Sequence, residues 1–210
     1  MFMRSQWFGL VSLATVLTWQ GMAHGQKKED GQKKENAPTP MPAVVMHDQF
    51  ERTHDLAKLQ GDVVVMIYGD RKSAAACQTL GDRIYVHFHP AAQGMPTFTT
   101  SPAPVRPVAY WSGQTPAPDV KVALVAVVGK TSSLFRTHTR TQVAHDWPAV
   151  TFWIDFQDQL PKQHGFKEGV PNLFVVDTLG RFRGTLSGNL DADQFGGLVE
   201  TIDRIRAEAK

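Results

Sequence analysis

The sequence predicts an α/β domain: a central mixed sheet flanked by helices. Three observations carry that prediction. Continuous apolar, β-branched runs recur along the chain, as in strands buried on both faces. Segments with helix-capping residues and helical spacing alternate with those runs, which points to parallel strands with helices on both faces of the sheet. Near the C-terminus a tight turn, Thr178-Leu179-Gly180-Arg181, joins two short runs and adds an antiparallel edge.

The folded part is expected to start near Val44 and to run to residue 210. Asp62 to Tyr68, DVVVMIY, is the first buried strand. Ser73 then stands as an N-cap, and the Ala-rich stretch that follows predicts a helix from about Ala74 into the eighties. From His89 to Pro118 the chain carries seven of its 13 prolines, so residues 88–118 are a proline-rich insertion, either a surface loop or a lid. Asp119 to Val128, DVKVALVAVV, is a second buried strand. Thr131 to Ser133 caps a helix reaching about His145. Val150 to Asp155 forms a third strand, and Gln157 to Phe166 a short helix ended by Gly165. Asn172 to Asp177, NLFVVD, is the fourth strand, and RFRGTL after the turn is the fifth. Asn189 or Asp191 caps a last helix, whose Phe195, Leu198, Val199, Ile202 and Ile205 share one face.

Composition narrows the function. Of 210 residues, 42% are apolar, 10% aromatic and 20% charged, enough for one sizeable core and unlike a disordered chain, a collagen or a coiled coil. Twenty-two basic residues against 20 acidic ones give +2, which favours neither nucleic acid nor an anionic membrane as partner. One cysteine excludes an intrachain disulfide, a multi-cysteine metal centre and a CxxC redox pair. The dinucleotide glycine fingerprint, the P-loop, GxSxG and HExxH are all absent from the sequence. Arg4, the apolar run Trp7 to Trp19 and Ala23-His24-Gly25 together read as a secretory signal over residues 1–25, with a mature start near Gln26. The alternative is an uncleaved anchor, for which the run is short. The chain is therefore expected to be exported, periplasmic or secreted. GQKKED followed by GQKKEN, then APTPMP, reads as a disordered linker over residues 26–43.

Gly169-Val170-Pro171, followed directly by NLFVVD and the turn DTLGR, resembles the cis-proline strand and hairpin of thioredoxin-like proteins. DLAKLQGDVVVMIY and the SAAAC that follows it resemble the first long strand and the active-site helix of that superfamily. The likeness is to the group of redoxins, thiol peroxidases and cytochrome-maturation thioredoxins, and it covers about Asp48 to the C-terminus apart from the insertion. It implies a thioredoxin-like fold. The paired cysteines of that pattern are missing: their positions fall near Ser73 and Ala76. A serine hydroxyl is far too weak a nucleophile to replace a thiolate, so dithiol–disulfide exchange is excluded. The peroxiredoxin pattern, with a threonine three residues before its cysteine, is not matched either, because Ser73 precedes Cys77 by four. The overall pattern is similar to exported bacterial thioredoxin-like proteins without redox cysteines.

These readings single out a short list of residues. Cys77 is either a single reactive thiol near a helix N-terminus, activated by Arg71, or a small buried hydrophobe one turn inside the helix. Asp70, Arg71 and Ser73 occupy a strand-to-helix turn at the carboxyl end of a strand, where ligands bind in α/β sheets, or they form a plain helix cap. The resemblance places Val170 and Pro171 opposite that turn, where such proteins expose backbone to peptides. His87 and His89 share a face if extended, yet lack a third ligand at useful spacing, and no metal or other cofactor is expected. Asp155 and Asp158 read as a strand-end carboxylate and a first-turn residue. The leading expectation is a module binding a protein or peptide partner through Asp70, Arg71, Ser73, Val170 and Pro171. The alternatives are a one-cysteine peroxidase using Cys77 and Arg71, and a structural envelope protein.

Overall fold

The computed structural model describes residues 38–95, 103–109, 111, 113 and 116–209. The expected signal segment, the hexad repeat and the tip of the insertion lie outside them. Eight strands form one mixed sheet: β1 (Thr39–Pro40), β2 (Val45–Asp48), β3 (Thr53–Asp55), β4 (Val63–Gly69), β5 (Val120–Val127), β6 (Phe152–Asp155), β7 (Asn172–Val176) and β8 (Arg181–Ser187). Four α-helices accompany them: α1 (Ala74–Phe88), α2 (Ser133–Asp146), α3 (Gln159–His164) and α4 (Ala192–Glu208). The strand order is β1-β8-β7-β4-β5-β6-β2-β3. Strands β4, β5 and β6 are parallel, and β7 runs antiparallel to β4.

Three features correct the sequence reading. The final hairpin is no mere edge, because β7 pairs with the central β4 from Val64–Val176 to Tyr68–Asn172. The fold also begins before Val44: Thr39 and Pro40 pair with β8, and Met41 is buried. The end of the expected linker is thus part of the sheet. Finally, residues 45–55 form a hairpin whose first strand pairs with β6. Its strands are too short and too polar to stand out as apolar runs.

Every residue of β4 and of β7 is buried, as their unbroken apolar runs require. One face of the sheet carries α1 and α4 over Val65, Ile67, Leu124 and Leu173. The other face carries Met41, Val44, Leu56 and Leu160 of α3 over Val64, Met66 and Phe174. The last helix is capped by Asp191, whose carboxylate accepts from Gln194 N–H at 2.8 Å while Gln194 Oε1 accepts from Asp191 N–H at 3.1 Å.

The roots of the insertion settle where that segment sits. Arg206 of α4 is fully buried; it donates to Pro118 O at 2.7 Å, to Arg106 O at 2.9 Å and to Asp203 at 3.1 Å. Arg106 N–H donates to Phe88 O at 2.6 Å, and His89 bonds Asp119 at 2.8 Å. All these contacts lie at the C-terminal end of α1 and the start of β5, the end of the sheet opposite the Asp70 turn. The described part of the insertion is rooted away from that turn and does not lid it.

Candidate functional site

The turn between β4 and α1 closes on itself. The Asp70 carboxylate accepts from Ser73 N–H and Ser73 Oγ–H, each at 2.8 Å, while Asp70 N–H donates to Ser73 Oγ at 2.9 Å. Ser73 holds the N-cap position, but its hydroxyl turns back to Asp70 and makes no capping bond to α1. It is also buried. The expected role of Ser73 in holding an anion is therefore corrected: its hydroxyl and its amide are both committed inside the turn. Gly69 completes the packing, because a Cβ there would collide with Cys77 Sγ and Ser73 Oγ.

The second carboxylate oxygen of Asp70 reaches across the sheet end and accepts from Gly169 N–H at 2.8 Å. Gly169 has a φ of 74°, which suits glycine. Burial alone would raise the Asp70 carboxyl, but the hydrogen bonds from Gly169 and Ser73 outweigh it and hold the group below its ordinary value. The Asp70–Gly169 bond ties that turn to the residue before Val170 and Pro171. Pro171 itself is buried, and its carbonyl accepts from Gly188 N–H at 2.8 Å. Val170 is half-buried, and its carbonyl accepts one bond, from Asn172 Nδ2 at 2.9 Å. Val170 N–H meets no partner among the described residues.

Cys77 lies one turn inside α1 with 1% of its surface exposed, its Sγ 3.7 Å from Tyr68 O. Burial, with the Asp70 charge adding to it, pushes the thiol up to about 11 against a hydrogen bond from Ser73. Arg71 is exposed and is not among the groups that act on the thiol. Activation of Cys77 by Arg71 is therefore corrected: desolvation dominates, and the thiolate is disfavoured.

His87 and His89 are not extended. His87 lies in the last turn of α1, and His89 follows it, bonding Tyr85 O and Asp119. Among the described residues no three His, Cys, Asp or Glu side chains group as a metal site. Asp155 is buried, which raises its carboxyl, and one oxygen accepts from Gln157 and Asp158 N–H. Asp158 precedes α3 with a φ of 54° and does not belong to its first turn.

An open hollow of about 710 Å³, not singled out in the sequence reading, lies beside the Asp70 turn. Its floor is Ala126 and Phe152, its near wall Arg71 and Ala74, and its far wall one flank of α2. That side reads His138, Thr139, Gln142, Val143 and Asp146, a helical stripe with one apolar member. No residue of α2 is fully buried. The signal was present as a missing apolar stripe between Ser133 and Asp146.

No family model and no curated protein matches the sequence. Solved structures do. A putative thiol:disulfide interchange protein DsbE from Chlorobium tepidum aligns at a TM-score of 0.50 and 16% identity, over 82% of this chain and 99% of that one. A secreted thiol-disulfide isomerase from Corynebacterium glutamicum aligns at 0.50 and 13%, over 85% and 94%. The fold is thioredoxin-like. This thioredoxin-like chain has a single cysteine, so it lacks the CxxC pair, and dithiol exchange within one molecule is closed to it. No helix of the described residues is long and apolar enough to cross a membrane.

Proposed function

We propose that the chain is an exported thioredoxin-like module that binds an extended peptide or protein segment without thiol chemistry. The observation that carries this reading is the backbone at Val170. Its N–H has no partner among the described residues, and its carbonyl, which accepts one bond, keeps a second lone pair. An extended segment laid along it gains a donor and an acceptor, as in strand addition. The Asp70–Gly169 bond fixes the height and direction of that backbone, so little ordering cost remains for binding. Export rests on the N-terminal sequence, with Arg4 and the apolar run after it.

The enzymatic alternative requires an accessible thiolate at Cys77. Burial and an elevated pKa of about 11 count against it. The deciding experiment selects peptides from a displayed random library on the protein and follows its ¹⁵N amide signals with the selected peptides. Shifts at Val170, Gly169 and Arg71, unchanged in Cys77→Ala, are the expected result. Selected peptides that leave Val170 unmoved, or peroxide turnover that vanishes in Cys77→Ala, overturn the reading.

A further inference from the structure

The hollow under α2 opens onto the same turn that faces Val170, since Asp70 and Arg71 line it and the Asp70 carboxylate bonds Gly169. Its construction is two-sided. The floor is apolar where β5 ends: half-buried Ala126 lies there with Phe152, and Val143 and Trp147 pack beside them. The roof is polar, with His138, Thr139 and Gln142. A space between an apolar floor and hydrogen-bonding groups suits a ligand that is itself two-sided, and its volume falls in the range of ligand sites. The aromatic edge of the floor is set by Trp147 against Phe152, with ring centroids 5.7 Å apart.

Charge sets the rest. Arg71 on the rim and Lys72 beside it are exposed and make no salt bridge among the described residues. Asp146, on the far rim, is already engaged: its Oδ1 accepts from Gln142 at 2.8 Å and pairs with His145 at 3.2 Å. A carboxylate arriving at the near rim meets Arg71, whose charge also reaches Asp146, and Lys72, which makes no salt bridge among the described residues.

We infer that the hollow is the side-chain pocket of the peptide site, taking an aromatic side chain flanked by an acidic residue. This rests on the peptide reading above. The backbone of the segment runs past Val170, the aromatic ring enters between β5 and α2, and the flanking carboxylate meets Arg71 and Lys72.

The test uses two acetylated five-residue peptides: glycine–glutamate–phenylalanine–glutamate–glycine amide, and the same peptide with alanine in place of phenylalanine. Their affinities are measured by amide and tryptophan-indole shifts of the ¹⁵N-labelled protein, up to millimolar peptide. The phenylalanine peptide is expected to bind about tenfold or more tightly than the alanine one. It should shift both the Trp147 indole and the Val170 amide. Thr139→Trp, which fills the hollow, should erase the preference, and Arg71→Ala should weaken both peptides. Shifts at Val170 with equal affinities and no effect of Thr139→Trp overturn the pocket and leave the peptide reading standing. Shifts at Trp147 without Val170 overturn the shared site. No shift at either position with either peptide overturns both. The comparison of the two peptides on the unaltered protein holds even if a variant fails to fold.

Discussion

Two consecutive strand–helix units of this domain are built to opposite ends. In the first, β4 leads through the Asp70–Ser73 turn into α1. All of β4 is buried, and α1 sinks Cys77, Leu80, Gly81, Ile84 and Phe88 into the core. In the second, β5 leads into α2, which buries no residue fully and leaves Leu134 84% and Phe135 65% exposed at its outer start. The two helices are nearly equal in length, 15 and 14 residues, and each joins a pair of parallel strands. They differ in which side chains face inward. The first unit holds the fold together; the second stands away from the sheet and leaves room between itself and the first. The proposed binding site sits where the sequence stops optimising burial.

The contrast is broken most directly by truncation. Ile84→Ala in α1 should cost about 2–5 kcal/mol in urea unfolding, because it opens a cavity in packed core. Val143→Ala in α2, at a half-buried position over the hollow, should cost about 1 kcal/mol or less. Equal costs would mean that α2 is as integral to the core as α1.

The second expectation concerns Cys77. Its folded pKa lies above its ordinary 9.0, at about 11, so the protonated thiol favours the folded state. That contribution is complete below pH 9.0 and is lost as pH rises through about 11. Stability of the natural protein, compared with Cys77→Ala, should fall over that window. Alkylation of the native thiol should remain slow until the same window or until unfolding. Fast alkylation near neutral pH would place Cys77 at the surface and dissolve the difference between the two units.

The smallest effect belongs to the turn. Asp70→Asn weakens the bonds to Ser73 and Gly169 and should cost about 1 kcal/mol at neutral pH, given solvent screening of a half-buried site. The folded pKa of Asp70 is depressed, so its contribution is present above the ordinary carboxylate value. It is lost as pH falls through the lower folded value. The gap between the natural protein and Asp70→Asn should close under acid. A gap independent of pH would show that the charge plays no part in holding Gly169.

Much of the core is legible in the sequence. DVVVMIY and NLFVVD are apolar without interruption, and only strands covered on both faces tolerate that. The stripe from Phe195 to Ile205 likewise fixes α4 and its buried face. Ser73 shows the limit of local reading. Its residue type predicts a cap, but Asp70 three residues earlier competes for the hydroxyl and wins it. The bond between Asp70 and Gly169 joins residues 99 apart, which no local pattern records. The hairpin over residues 45–55 was hidden for a related reason, since its partner strand β6 lies about a hundred residues away. The hollow escaped notice because it is defined by what α2 omits.

Arg206 has a practical consequence for handling the protein. By gripping the carbonyls of Arg106 and Pro118 it fastens both ends of one stretch of chain to α4, at the pole away from Val170. Lengthening a loop between fixed ends costs little, about 0.6 kcal/mol per doubling. An insertion between those two anchors, clear of the buried Val108, therefore leaves the grip of Arg206 in place. A fluorophore, an affinity sequence or a second domain spliced there is carried at arm's length, and the protein can be mounted on a solid support with its opposite face presented outward.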